Sequence, residues 1–206
     1  MPQAWCPLVR NCTASPVDKN KTIGSNSTRM NYSNSFVDAL LSRRRSAELA
    51  DTDDIFGFLI GDWDVDAILY DAGGNAKKIK GEVHATWVLE GRAIQDLFIF
   101  PDRARRSQGI SVEGDRYATT IRTYDRTLNA WRINFINPAA DDTNAQLVAH
   151  RQGDGVEMEG TLSNGTPIRW RYITITSTSF HYIAQKMSSD GKTWQLYLEL
   201  FGTRSA

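Results

Sequence analysis

The chain has little of what many dedicated functions need. Its 206 residues hold two cysteines and three histidines. Both cysteines, Cys6 and Cys12, fall near the start, where a bridge would close a small loop outside any core; a pair of thiols on a tail is the plainer reading. A zinc knuckle needs further Cys or His close by, and none is there. Lys plus Arg total 24 and Asp plus Glu total 24, so the formal net charge is zero. That balance excludes the long-range attraction that recruits nucleic acid or an anionic membrane. No apolar run approaches the roughly 18 residues of a membrane-spanning helix. Trp5-Cys6-Pro7-Leu8-Val9-Arg10 breaks off too soon for a secretory apolar region. The Asn-x-Ser/Thr triplets at Asn11, Asn26, Asn31 and Asn164 therefore carry no glycosylation reading. A cytoplasmic protein is expected, with no nucleic-acid or membrane partner, no metal and no cofactor.

What is present is apolar and aromatic. Apolar residues make up 41% of the chain, and six Trp and seven Tyr supply large surfaces to bury. An uncharged or aromatic small ligand suits such a chain better than a polyanion.

Residues 1–32, rich in Asn, Ser, Thr and Lys and without periodicity, read as a disordered tail, and Met30 is an alternative start. A helix is expected over 33–50. Ser35 can cap it, Phe36, Val37, Leu40 and Leu41 share a face, and Arg43-Arg44-Arg45 sits toward its C-terminal end. The barrel region, 51–206, opens on Asp54-Ile55-Phe56-Gly57-Phe58-Leu59-Ile60-Gly61-Asp62-Trp63, an apolar turn leading into an alternating strand. Strands bounded by turn chemistry follow: Trp63–Tyr70, Ile79–Leu89, Arg92–Phe100, a short one near Ile110–Val112, Tyr117–Tyr124, Trp131–Ile136, Gln146–Arg151, Val156–Glu159, Pro167–Ile175, Phe180–Met187 and Trp194–Phe201. Arg103, Arg105 and Arg106 fall in a charged loop. About ten antiparallel strands in a meander, with so little helix to cover them, remove their edges best by closing. The fold expected is mainly β, an up-and-down barrel with one N-terminal helix.

Gly61-Asp62-Trp63 after a short apolar turn resembles the G-x-W signature of lipocalins and their calycin relatives. The wider set resembles a bacterial lipocalin-like family without an assigned activity: Phe58-Leu59-Ile60-Gly61-Asp62-Trp63, Trp87-Val88-Leu89-Glu90-Gly91-Arg92, Tyr124-Asp125 and Asp190-Gly191-Lys192-Thr193-Trp194. The resemblance implies a cup-shaped ligand cavity, a Trp63 plugging one end and Arg204 packed over it; it implies no reaction.

Small barrels can hold one small ligand among inward-facing residues, but the sequence does not label the two faces of a strand. On one strand Val83, Ala85, Trp87 and Leu89 oppose Glu82, His84, Thr86 and Val88. If the apolar face lines the cup, Trp87 is a ligand wall and His84 is on the surface; if a helix covers that face, His84 and Thr86 point inward. Glu82 could orient His84 for acid–base work. Asp96 interrupts an apolar strand, Arg171 alternates with Trp170 and Tyr172, and Tyr197 and Glu199 share the mixed face of the last strand. His84, Asp96, Arg171 and Glu199 are thus the candidate catalytic groups. Trp87, Tyr124, Trp131, Tyr182 and Tyr197 are the candidate ligand walls. No Ser-His-Asp or Cys-His arrangement is visible, which disfavours nucleophilic catalysis. Two functions follow. One is a cofactor-independent lyase, isomerase or cyclase acting on a small apolar or aromatic substrate; the other is a carrier for such a molecule. A homodimer stays open, as does a partner-binding module docking through the N-terminal helix.

Overall fold

Period-two alternation gives each strand one face to bury, and closing the sheet leaves no strand edge with bare backbone donors and acceptors. The computed structural model describes residues 34–110, 115–140 and 143–205. Its strands are β1 (Leu41–Ser42), β2 (Gly61–Tyr70), β3 (Ala76–Val88), β4 (Ala93–Phe100), β5 (Arg116–Asp125), β6 (Ala130–Ile136), β7 (Ala145–Gln152), β8 (Gly155–Leu162), β9 (Pro167–Ile175), β10 (Ser179–Met187) and β11 (Trp194–Arg204). Among the described residues, ten of them, β2 to β11, form a closed antiparallel lipocalin-like barrel. Each pairs with the next in sequence, and β11 returns to β2 in register from Leu198↔Leu69 to Arg204↔Trp63. The two-residue β1 continues the β2 edge of β3, through Leu41↔Val88. No helix among the described residues is long and apolar enough to cross a membrane.

One end is closed by the segment before β2 and by the last residues of β11. Phe56, Leu59 and Trp63 are fully buried there. The Trp63 indole donates to the Leu59 carbonyl at 2.8 Å. Arg204 lies across the ring, 4.2 Å from its centroid. Its guanidinium donates to the carbonyls of Ile60 (2.8 Å), Phe58 (3.0 Å) and Ser177 (2.9 Å). One charged fork thus satisfies two carbonyls of the apolar turn and one of the β9–β10 turn. Gly202 permits this packing: a Cβ there would stand 2.3 Å from the Phe180 ring, which makes an edge contact with Trp63 at 4.9 Å.

Three local expectations give way. The helix expected over 33–50 is α1, Ser35–Leu40, capped by Asn34, whose side chain accepts from the Phe36 amide, rather than by Ser35. It buries no residue, and a helix without a buried face gains little from lengthening. Leu41 turns extended to pair with β3, and Arg45 bonds Asp51 and Asp54 instead of ending a helix. The charged loop contains α2, Arg103–Ser107, because the Asp102 side chain caps it by accepting from the Arg105 amide at 2.9 Å. Of the short strand expected near 110–112, Ile110 is not in a strand, and 111–112 lie outside the described residues, as do the 1–32 tail, Cys6, Cys12 and Met30.

Candidate functional site

The apolar face turns inward on β3 and β9, whereas β4 and β5 also send polar groups in, so the lumen receives Val83, Ala85 and Trp87 from β3, Ile94, Asp96 and Phe98 from β4, Ala118, Thr120 and Arg122 from β5, and Trp170 and Tyr172 from β9. An aromatic file climbs from the plug. Phe180 meets Tyr172 at 5.5 Å, Tyr172 meets Tyr182 at 5.0 Å, Tyr182 meets Trp170 at 6.4 Å, and Trp170 meets Phe135 at 5.4 Å.

Tyr197 joins this file through an irregularity in the sheet. The β10–β11 register runs Ala184↔Leu198 and then Gln185↔Leu196, leaving Tyr197 as the extra residue of a bulge. A bulge re-aims the side chain it carries. Tyr197 therefore faces inward beside Leu198, and its hydroxyl accepts from the Trp170 indole at 2.6 Å. Burial pushes the Tyr197 hydroxyl up to about 12, although Arg116 and the Trp170 bond draw it back. Burial also raises the Tyr182 and Tyr172 hydroxyls, so all three stay protonated at neutral pH.

At the floor of the lumen, directly above the plug, Arg122 is ion-paired to Asp96, and both are buried. The Arg122 guanidinium lies 5.1 Å from the Phe56 ring centroid. Burial holds the Asp96 carboxyl above its ordinary range even though Arg122 pulls it down. Thr120 stands beside the Asp96 carboxyl and Tyr172 beside the Arg122 guanidinium, yet Asp96 Oδ1 and Arg122 Nε are buried with no well-formed hydrogen bond among the described residues. At the mouth, Arg116 lines the same cavity as Trp170, Tyr182 and Tyr197. The cavity encloses about 380 Å³ counting its mouth, but a water's centre can range over only about 20 Å³ of it. That is space for about one water. A guest must displace side chains, and the ring faces of Trp170, Tyr182 and Tyr197 are what it would displace or stack upon.

The candidate residues divide between wall and lumen. Asp96, Tyr182 and Tyr197 are inside the cavity region. Trp87 and Trp131 also face inward but belong to the closed end, where the Trp131 indole donates to the Asp53 carbonyl at 2.7 Å. Tyr124 packs on Trp131 at 5.9 Å and donates to the Asn129 side chain, lining an outer cleft with Glu48 and Arg126. His84, Arg171 and Glu199 are on the outer wall. His84 sits between Asp62 (2.6 Å) and Glu82 (3.3 Å), with Arg103 at 3.0 Å from its Nε2. Arg171 donates to Gln185 at 3.2 Å, and Glu199 accepts from Tyr70 at 2.6 Å and contacts His181 at 3.1 Å. These three groups do not converge with Asp96. Reasoning from the residues gave Arg116, Trp170 and Tyr172 no role in the site, and it named Arg122 as a strand residue able to carry chemistry without choosing it among the candidates. For Trp170 and Tyr172 the signal was present, since they oppose Arg169 and Arg171 along β9.

Among the described residues no group of three or more His, Cys, Asp or Glu is placed to hold a metal ion.

The fold and lumen define a closed antiparallel barrel of the lipocalin-like kind. No protein-family model matches the sequence, and no curated protein matches it. Among solved structures, the chain is similar to Rv2717c from M. tuberculosis, with 14% identity and a TM-score of 0.52, over 77% of this chain and 99% of that one. It is also similar to the S-type phycobiliprotein lyase CPES from Guillardia theta, with 8% identity and a TM-score of 0.51, over 75% of this chain and 93% of that one. At these identities the likeness is one of fold.

Proposed function

We propose that the barrel binds a small, largely apolar aromatic molecule in its lumen. The observation that carries this is the Asp96–Arg122 pair, buried with an acceptor and a donor unfilled at the floor of an aromatic shaft. A barrel built only for stability gains by replacing such a pair with apolar side chains, because desolvation costs about as much as the attraction returns. Unfilled polar atoms in a buried site mark a place for a ligand or water. The aromatic walls with few polar groups are the composition of small-molecule sites. Titration with a neutral fluorophore, N-phenylnaphthylamine, tests the reading. Saturable enhancement at one equivalent is the expected result, lost when the shaft is blocked by Met158→Trp at a buried residue that lines the same cavity. Absence of saturable binding, or binding indifferent to the block, would overturn it.

A second reading, a cofactor-independent lyase, isomerase or cyclase, is favoured by one feature: Asp96 is a carboxyl with a raised pKa inside the lumen, suited to hold or move a proton. Since His84, Arg171 and Glu199 are on the outer wall, this reading narrows to Asp96 with Arg122 and the tyrosine hydroxyls. The 8% identity with a phycobiliprotein lyase adds no bilin chemistry to it. Conversion of a bound ligand by the native chain and not by Asp96→Asn separates enzyme from carrier.

A further inference from the structure

Arg116 stands apart from the other arginines. Arg45, Arg106, Arg122, Arg169, Arg171 and Arg204, the other partly or wholly buried arginines among the described residues, each donate to a side-chain or backbone oxygen. Arg116 makes no hydrogen bond or ion pair through its side chain to any described residue, although it is half-buried and lines the lumen mouth with Tyr182 and Tyr197. A guanidinium partly withdrawn from water without an acceptor loses hydration and regains nothing, so it is matched to something that arrives. The surrounding rim is mixed in sign: Asp71 and Asp190, on the β2–β3 and β10–β11 hairpins, accept from turn amides, and four lysines stand on the same two hairpins. Lys77 and Lys78 on the β2–β3 hairpin, and Lys186 and Lys192 around the β10–β11 hairpin, make no ion pair among the described residues. Within the lumen proper, Asp96 is already committed to Arg122, so the remaining charge offered to a guest is positive.

Resting on the lumen-binding reading, we infer that the guest is an aromatic acid. Its single anionic group, a carboxylate, is held at the mouth by the Arg116 fork, and its ring passes inward between Trp170, Tyr182 and Tyr197. The geometry sets the order of parts. Arg116 and Arg122 lie six positions apart on the same face of β5, a separation of about 20 Å along the strand at roughly 3.3 Å per residue. The anion is therefore taken at the rim, while the buried floor pair meets only the far, uncharged end of the guest. The Tyr182 and Tyr197 hydroxyls, neutral and beside the guanidinium, can donate to the same carboxylate. Bringing the carboxylate to the floor instead would place it against Asp96, a repulsive contact in a low-dielectric site.

Displacement of N-phenylnaphthylamine by three probes of one shape tests this: naphthoate, its methyl ester and naphthylmethylamine. Naphthoate is expected to displace the fluorophore from the native protein at about tenfold lower concentration than the ester, the worth of one charge-assisted bond, and the amine to compete least. Arg116→Gln should abolish the preference for acid over ester, read as the ratio of their displacing concentrations, and Arg116→Lys should retain part of it. Equal displacement by acid and ester in the native protein, or an unchanged preference in Arg116→Gln, overturns the inference while leaving the lumen reading intact. Failure of the neutral fluorophore to bind at all overturns both.

Discussion

The closed end and the lumen above it are built from the same aromatic residues to opposite effect. At the closed end the most deeply buried donors have acceptors: the Trp63 and Trp131 indoles reach backbone carbonyls, and Arg204 fills three more. One residue layer higher, Asp96 Oδ1 and Arg122 Nε have none. The third unfilled buried atom, Arg171 Nε, is on the outer wall and does not touch this contrast. The comparison teaches where the fold takes its stability and where it gives some up. The plug contributes, and the polar floor of the lumen costs.

The largest expected effect breaks the plug. Trp63→Ala removes a fully buried indole and leaves the Leu59 carbonyl unpaired, at a cost of about 3–5 kcal/mol. Arg204→Met, which bares three carbonyls at once, should cost about 3 kcal/mol. Both are read by urea unfolding; a loss below about 1 kcal/mol for Trp63→Ala would mean the end is not load-sharing as described. The lumen floor should respond differently. Asp96→Leu alone leaves Arg122 buried and uncompensated and should cost about 3–5 kcal/mol, whereas Asp96→Leu with Arg122→Met should be neutral or stabilising by about 1–4 kcal/mol. No double replacement at the plug can behave that way. A double variant as unstable as the single one would place the pair among the structural contacts and remove the main support for a ligand site.

The contrast also explains what could be read from the residues alone. The plug was legible through the lipocalin resemblance, which an apolar turn, Gly61 and Trp63 carry in one short stretch and which implied Arg204 over the ring. The ten strands were legible because alternation and turn residues recur along the chain. The lumen was legible only where a strand separates its faces cleanly, as β9 does with Trp170 and Tyr172 against two arginines. On β5 the pattern misleads, because Arg122 faces in while Ile121 faces out. Long-range pairing with Asp96, not local pattern, decides that choice. His84 looked poised beside Glu82, yet both are outside, held by Asp62 and Arg103.

Titration sharpens the comparison, because carboxyls inside and outside the barrel shift in opposite directions. Outside, the Arg132 bond and turn amides hold Asp125 below its ordinary range. Its stabilisation is present above the unfolded value of about 3.9 and is lost as pH falls through the lower folded value. Inside, burial holds Asp96 above that range, so the folded state keeps the proton longer than the unfolded one. Its penalty is absent in acid and switches on as pH rises from about 4 through the raised folded value. Asp96→Asn should therefore gain stability relative to the native chain as pH rises across that window. Asp125→Asn should lose it as pH rises through its own, more acidic window. Chemical unfolding at stepped pH reads both, and slopes of the same sign would contradict the assignment of Asp96 to a desolvated lumen.

The smallest effects come from the outer wall, and one pair of neighbours isolates them. Tyr197 and Glu199 are two positions apart and would share a face in a regular strand; the bulge at Tyr197 sends one hydroxyl to Trp170 and the other side chain out to Tyr70 and His181. Tyr197→Phe strips the buried Trp170 indole of its acceptor, with a cost of about 1–3 kcal/mol and weaker binding of lumen probes. Glu199→Gln loses a partly solvated pair and keeps an oxygen for Tyr70, so its cost should stay under about 1 kcal/mol. Because the strand backbone stands between Glu199 and the cavity, fluorophore displacement by naphthoate should shift by less than about twofold, within ordinary non-contact effects. A large binding defect in Glu199→Gln, with stability unchanged, would mean that guests are taken on the outer face, and the division of the barrel into stable plug and receptive lumen would have to be redrawn around that wall.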